Sequence, residues 1–525
     1  MGSYINTGNM GFQRARNSEY VDKSGLIAVV NATLNTERCF SCVTRCRRFG
    51  KSMAAKMLCA YYDQSCDSRS LFADLQIAGD PSFETHLNKY PVIYLDMSDF
   101  VTRFHKDNIV EIIDRKLKKD ILHAYSMQQA DEDDDLMDCL ISIADSTNQQ
   151  FIFIIDEWDS ICREFDNNGP VMDDYVNWLR RLFKSGQTAR VFAGVYMTGI
   201  LPVKKYNTQS ALNNFVEYSM VEPMDMPQFF GFTKDEVRAL ATKHGMDYDD
   251  LEKWYDGYQI GSQPNMFNPN SVMMALKARF CRSYWSSTGA FDAVAGYIKM
   301  NYEGLKDNMI DLLAGGRIKV NTTKFENDMS AVRNRDDVLT VLIHLGYLTF
   351  DRTRNECFVP NYEVAGEMRN AVEETDWNIV INAMQRSERL LQDTLLCNGE
   401  NVAAAIDSVH DEQTSILSYN DENSLACVVS IAYYAARNDY VIHREMASGR
   451  GFADIVFIPR KNVAKPALVI ELKCGKSADE AIKQIKERKY MEKVRQHTSD
   501  ILLVGINYDR DSKTHTCVIE QETKD

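Results

Sequence analysis

No run of apolar residues in this chain approaches the length of a membrane span, and the N-terminal residues lack the basic region and apolar core of a secretory leader. Met1-Gly2 opens like an acylation signal, but Asn6 stands where that signal wants Ser or Thr. The two absences leave a soluble, cytoplasmic protein with no membrane partner as the expectation. Zinc-ribbon spacing is missing too. Cys39, Cys42 and Cys46 cluster, yet no second pair answers them among the 13 cysteines, so reduced thiols are expected there rather than a metal. His244, His344 and His410 are scattered and read as core or surface residues. Positive charge is short overall. A formal net charge of −15 argues against nucleic acid bound over the whole surface. A local basic region remains: from Val441 to Arg495, thirteen Lys and Arg face seven Asp and Glu, a net of +6.

What is present begins with length. A chain of 525 residues, 45% hydrophobic and 26% charged, has ordinary globular composition and is too long for one core. In the N-terminal third, "CFSCVTRCRRFGKSMAAKML" runs from an apolar segment through Arg and Gly into a helix-forming stretch. Gly50-Lys51-Ser52 reads as the end of a phosphate-binding loop. The glycine lets backbone N–H groups approach phosphate, the lysine reaches the outer phosphates, and the serine hydroxyl can hold Mg²⁺. The first glycine of the usual pattern is replaced by Arg45.

In "FIFIIDEWD" five apolar residues precede Asp156 and Glu157, as expected of a buried central strand that ends at a nucleotide. Asp156 would meet Mg²⁺ through Ser52 or a water, and Glu157 would polarise the attacking water. A further strand, "VFAGVYMTG", ends in Thr198, placed to sense the γ-phosphate. With "PVIYLDMSDF" as another strand and the Asn108–His123 region as a helix, the pattern is α/β with a parallel sheet.

These stretches, together with "EYVDKSGLI", "MTGILPVKK", "SALNNFVEY", "GFTKDEV", "WYDGY" and "NPNSV", resemble a family of predicted AAA-like (STAND-related) ATPases fused to a C-terminal PD-(D/E)XK nuclease. The missing first glycine is a trait of that family, which usually has proline where Cys46 stands. The resemblance implies ATP as the ligand and places Arg47 and Arg48 beside the phosphates. It also implies three parts: an ATPase domain over residues 1–225, a helical lid with a winged-helix-like region over 226–398, and a nuclease domain over 399–525. In the middle part "DDVLTVLIHLGYLTFDRTRNECFVPN" predicts a helix ending at Gly346 and two short strands around an Arg352–Asn355 turn. Packing against the nucleotide domain is favoured over DNA binding for that unit.

Near the C-terminus, "ALVIELK" carries an acid and a lysine two residues apart in a run that otherwise reads as a buried strand. Successive strand residues face opposite sides, so Glu471 and Lys473 share one face, where unpaired charge is costly. Asp454 lies on the preceding strand, after a Gly-rich turn, and "RKNVAK" forms the turn between the two. "SADEAIKQIKERKYMEKV" is a helix with Ser477 as N-cap and Gln484 midway. A helix, three strands and a helix make the core of the nuclease fold that the resemblance implies.

Asp454 and Glu471 offer hard oxygens to Mg²⁺ or Mn²⁺, and Lys473 can orient or deprotonate a water beside the metal. The resemblance adds the Leu472 carbonyl as a further ligand, and Glu422 and Gln484 from the flanking helices. The family's arginine two residues before the aspartate is Phe452 here, with Arg450 near enough to reach over the turn.

The expected function is an ATP-binding, metal-dependent nuclease acting on nucleic acid, DNA in preference to RNA, under control of the ATPase module. Family context suggests a role in defence or a mobile element. Cutting both strands at once needs two active sites, so a homo-oligomer is the expected partner state. The competing expectation is a nucleotide-switched regulatory or scaffold protein whose nuclease fold binds without cutting.

Overall fold

The computed structural model describes residues 2–126, 134–165, 168–203, 205–206, 209–210, 212–285, 296, 302, 304–313, 315–325, 332–373, 378–413, 425, 429, 432–433, 436, 439–448, 451–460, 463–487 and 494–522. They form two compact units, Met1–Glu303 with Ile318–Glu367, and Gly304–Arg317 with Met368–Asp525. Among the described residues no helix is long and apolar enough to cross a membrane.

The first unit is built on five parallel strands, β1 (Phe40–Thr44), β2 (Val92–Asp96), β3 (Phe151–Asp156), β4 (Phe192–Gly199) and β5 (Val216–Tyr218), in the order β2-β3-β4-β1-β5. β1, β3 and β4 are buried at every position, which is why they read as unbroken apolar runs. Each sheet face has its own apolar core, one around Phe153, Ile155 and Met197 and the other around Ile152, Ile154 and Tyr196. Because β4 lies between β1 and β3, the loop after β1, Thr198 at the end of β4 and Asp156 at the end of β3 share one edge. Ligands of open parallel sheets bind beyond these carboxyl ends. Helix α1 (Lys51–Tyr62) starts directly after Gly50, whose φ of 91° suits glycine. Helix α2 (Ile109–Ala124) appears where the sequence predicts it.

Helix α3 (Lys234–His244) is opened by a capping box between Thr233 and Glu236, and helix α4 (Pro269–Ala278) by Asn268, whose Oδ1 accepts from the N–H groups of Asn270 and Ser271. Helix α5 (Arg335–Leu345) ends at Gly346 with φ 90°, and Asn355, φ 53°, turns the following hairpin. The hairpin strands β7 (Thr349–Asp351) and β8 (Glu356–Phe358) match the expected unit, and a third strand, β6 (Ile318–Lys319), pairs with β8. The unit packs on the nucleotide side, as favoured. A side chain at Gly346 would stand 2.5 Å from Cys46 Cβ, and the Tyr258 hydroxyl donates to the Gly346 carbonyl at 2.9 Å.

Glu363 is buried in this region and accepts from the N–H groups of Tyr284 (2.6 Å) and Trp285 (2.9 Å). Burial nevertheless pushes its carboxyl up to about 7.

The second unit carries a mixed sheet of β9 (Tyr440–Ser448), β10 (Gly451–Pro459), β11 (Ala467–Cys474), β12 (Ile501–Asp509) and β13 (Thr514–Gln521), in chain order. Only β11 and β12 pair in parallel. The β9–β10 and β10–β11 hairpins are those the sequence predicts, whereas β12 and β13 extend the sheet beyond the expected three strands. Helices α6 (Asn378–Leu395) and α7 (Gly399–Gln413), expected as a bridge, contribute Leu390, Leu391, Val402 and Ile406 to the core on one face. The other face is covered by α8 (Ala478–Glu487) through Ile482 and Ile485. Ser477 Oγ accepts from the Glu480 N–H at 3.1 Å, the expected cap. Gly505 of β12 lets α8 come close, since a Cβ there would stand 2.4 Å from the Ala478 carbonyl oxygen.

Gly505→Ala is therefore expected to lower stability by about 1–3 kcal/mol, through overpacking at the α8 crossing, measured by urea denaturation. For Glu363, a folded pKa above the ordinary 4.5 gives stability that is fully present below that value and is lost as pH rises through about 7. Going from pH 8 to pH 5.5 should raise the melting temperature of the parent more than that of Glu363→Gln, measured by differential scanning calorimetry.

Candidate functional sites at two strand ends

At the first site Lys51 is 3% exposed, and its ammonium donates to the carbonyls of Arg45 (3.0 Å) and Cys46 (3.2 Å). It also lies 3.7 Å from Glu157 Oε1. Arg45, at the position of the absent glycine, points inward instead of blocking the loop. Its guanidinium donates to Thr44 O (2.9 Å) and, across the sheet edge, to Tyr218 O (2.6 Å), and it stacks over Phe230. Complete burial lowers its pKa to about 10.

Asp156 is buried at the end of β3. Thr198 Oγ1 donates to its Oδ1 at 2.5 Å and the Tyr94 hydroxyl to its Oδ2 at 3.3 Å. Desolvation raises its pKa, while hydrogen bonds from Thr198 and Ser52 act in the opposite direction. The expected set of Lys51, Ser52, Asp156, Glu157 and Thr198 is thus gathered around one strand edge.

Glu157 takes a φ of 51°, fixed by its N–H on Thr198 Oγ1 (3.3 Å) and by the next N–H, of Trp158, on Thr198 O (2.7 Å). Gly199 gives this turn its room, since a Cβ there would stand 2.5 Å from the Trp158 ring. Of the two arginines implied beside the phosphates, Arg47 is partly buried, and burial first of all lowers its pKa. Arg48 is exposed, with φ 67°, and donates to Tyr284 O at 2.9 Å.

Gly231 and Asn268 hold the loop by its carbonyls. The Gly231 N–H donates to Phe49 O at 3.1 Å, and Asn268 Nδ2 to Arg47 O at 3.4 Å. Two residues here were passed over in the sequence, Asp159 and Arg163. Asp159 is fully buried and accepts from the N–H groups of Ile200 (3.2 Å) and Leu201 (3.0 Å). Burial works against the Arg163 cation, yet Asp159 and Glu157 together hold its pKa above the ordinary value.

At the second site, one strand, β11, delivers both the acid and the lysine on one face, as the alternation requires. Glu471 is 2% exposed and Lys473 6%. The Lys473 ammonium donates to Glu471 Oε1 and to Leu472 O, each at 3.0 Å. Gln484 of α8 donates to the same Glu471 oxygen. Asp454 on β10 is half-buried, and its Oδ2 accepts from the Leu472 N–H at 2.7 Å.

Asp454, Glu471, Lys473 and Gln484 are therefore brought together, while Glu422 and Arg450 lie outside the described residues. Among the described residues no further His, Cys, Asp or Glu joins Asp454 and Glu471 in a cluster of three. The donor set nevertheless suits a hard cation, because an ammonium already sits against a carboxylate oxygen and a backbone carbonyl, the oxygens such a cation takes. Asn507 was also passed over. It pairs with Lys473 in the parallel β11–β12 register and accepts from the Lys476 N–H at 3.0 Å, closing the turn after the lysine. Parallel register between strands this far apart in the chain has no local sequence signal.

Comparisons with known proteins follow this division. Residues 7–208 match the family model described as predicted AAA-ATPase, and residues 420–518 the PD-(D/E)XK nuclease superfamily. An uncharacterized protein in the vnfD 5′ region of Azotobacter chroococcum mcd 1 is 22% identical and covers 94% of each chain. A solved structure, that of the Aeropyrum pernix ORC2 protein in ADPNP–ADP complexes, aligns with a TM-score of 0.34 at 12% identity, over 71% of this chain and 98% of its own. The chain joins an AAA-ATPase-like N-terminal domain to a C-terminal domain of the PD-(D/E)XK nuclease superfamily.

Proposed function

We propose that this protein is a metal-dependent DNA nuclease whose phosphodiester hydrolysis is governed by ATP bound to its N-terminal domain. The observation that carries the reading is the convergence of Asp454, Glu471, Lys473 and Gln484 at the end of one buried strand pair. Asp454, Glu471 and the Leu472 carbonyl would hold Mg²⁺ or Mn²⁺, which supplies charge neutralisation at the phosphate and acidifies a bound water. Gln484 holds Glu471 in place from α8. Lys473 would leave Glu471 Oε1 and Leu472 O to orient the attacking water as the ammonium, or to take its proton as the neutral amine. In the N-terminal domain Lys51 would exchange its loop carbonyls for the outer phosphates, with Arg47 and Arg48 beside them. Ser52 and Asp156 would hold Mg²⁺, Thr198 would sense the γ-phosphate, and Glu157 would face the attacking water.

A second reading, a nucleotide-switched regulatory protein that binds without cutting, is favoured by one observation: Lys51 is folded back onto its own loop at 3.0 Å from Arg45 O.

The decisive assay is cleavage of a supercoiled plasmid with Mg²⁺ or Mn²⁺. Asp454→Asn and Lys473→Ala should each cut slower by roughly 10²-fold or more while melting as cooperatively as the parent. Variants that cut as fast as the parent would remove the nuclease assignment, and a parent that cuts no nucleic acid would leave the second reading. Lys51→Ala should weaken binding of a fluorescent ATP analogue by about tenfold or more, a loss of ~1.4 kcal/mol or more, read by titration.

A further inference from the structure

We propose that Arg163 is a positioning residue that restrains Glu157 and so keeps ATP turnover slow. The inference rests on the ATP-binding reading above and adds a regulation to that site. Arg163 lies on the short helix Ser160–Glu164 that follows the β3 turn. Its NH2 group donates to Glu157 Oε2 at 2.8 Å and to Ser160 Oγ at 3.1 Å, and its Nε donates to Asp159 Oδ2 at 3.1 Å.

The guanidinium is not a loose surface partner. Its side chain is 14% exposed, and the carboxylate that anchors it, Asp159, is 0% exposed. Asp159 is itself fixed by the N–H groups of Ile200 and Leu201. Glu157 therefore has one oxygen on an immobile cation and the other 3.7 Å from Lys51.

The two cations differ in what happens when nucleotide arrives. Lys51 has phosphate to turn to, which takes it off Glu157. Arg163 keeps its grip, because Asp159 holds it in place whatever occupies the phosphate loop. A carboxylate bonded to a guanidinium is oriented toward that partner rather than toward a water. Each turnover then requires the Glu157–Arg163 bond to open. Such an arrangement gives a long-lived ATP state, which suits a switch that reports nucleotide occupancy better than a motor that spends it.

The test compares steady-state ATP hydrolysis and ATP-analogue binding in the full-length parent, Arg163→Gln, Arg163→Lys and the double variant Asp159→Asn with Arg163→Gln. The double variant removes both members of the anchoring pair, so that no buried carboxylate is left alone if the single variant folds poorly. Arg163→Gln and the double variant should raise kcat about tenfold, with the dissociation constant of the analogue unchanged, and Arg163→Lys should fall between. A kcat equal to or below the parent's in both neutral variants, with nucleotide still bound, overturns the restraint and leaves the ATP-binding reading standing. Failure of the parent and all variants to bind the analogue overturns both.

Discussion

Lys473 carries a formal charge on a strand whose residues up to Lys473 are all buried, and it is tolerated there because Glu471 Oε1 and Leu472 O meet it at 3.0 Å. An unpaired ion in that setting would lose its charge or open the packing. The same requirement organises the other strand edge, where Asp156 is met by Thr198 and Tyr94, Asp159 by Arg163, and Lys51 by two loop carbonyls. Each domain thus places its polar chemistry at the carboxyl ends of buried strands. There the apolar residues fix the backbone and the final residues exchange partners among themselves.

That economy shapes the phosphate loop in particular. The carbonyls of Arg45 and Cys46 accept from Lys51, that of Arg47 from Asn268, and that of Phe49 from Gly231. Four consecutive or near-consecutive carbonyls are therefore occupied, two by the loop's own lysine and two by Asn268 and Gly231. A ligand that draws the lysine away would leave these carbonyls to the contacts from Asn268 and Gly231. Arg45 completes the arrangement from below by joining β1 to β5.

Much of this was legible in the sequence. Continuous apolar runs marked β3 and β4 as strands of a parallel sheet, and alternation put Glu471 and Lys473 on one face. Gly346 and Asn355 announced a helix end and a turn through their backbone freedom. What stayed hidden depended on contacts with no fixed sequence offset. Arg163 reaches Glu157 only because the turn between them takes φ 51° at Glu157, a conformation that a glutamate does not advertise. Arg45 looked like a defect in a glycine pattern, whereas its side chain leaves the loop entirely. Asn507 is set by parallel pairing across the segment that contains α8. β12, largely apolar, belonged to a sheet whose expected core was already complete with three strands.

The seat of Cys46 has a separate consequence. Gly346, at the end of α5, lies so close that the Cys46 sulfur would stand 3.0 Å from any Cβ added there, and burial pushes the thiol up to about 12. A thiol that is both covered and protonated is unreactive toward alkylating reagents. Exposure to water would restore its nucleophilicity. Alkylation of Cys46 would therefore report loss of the packing at Gly346.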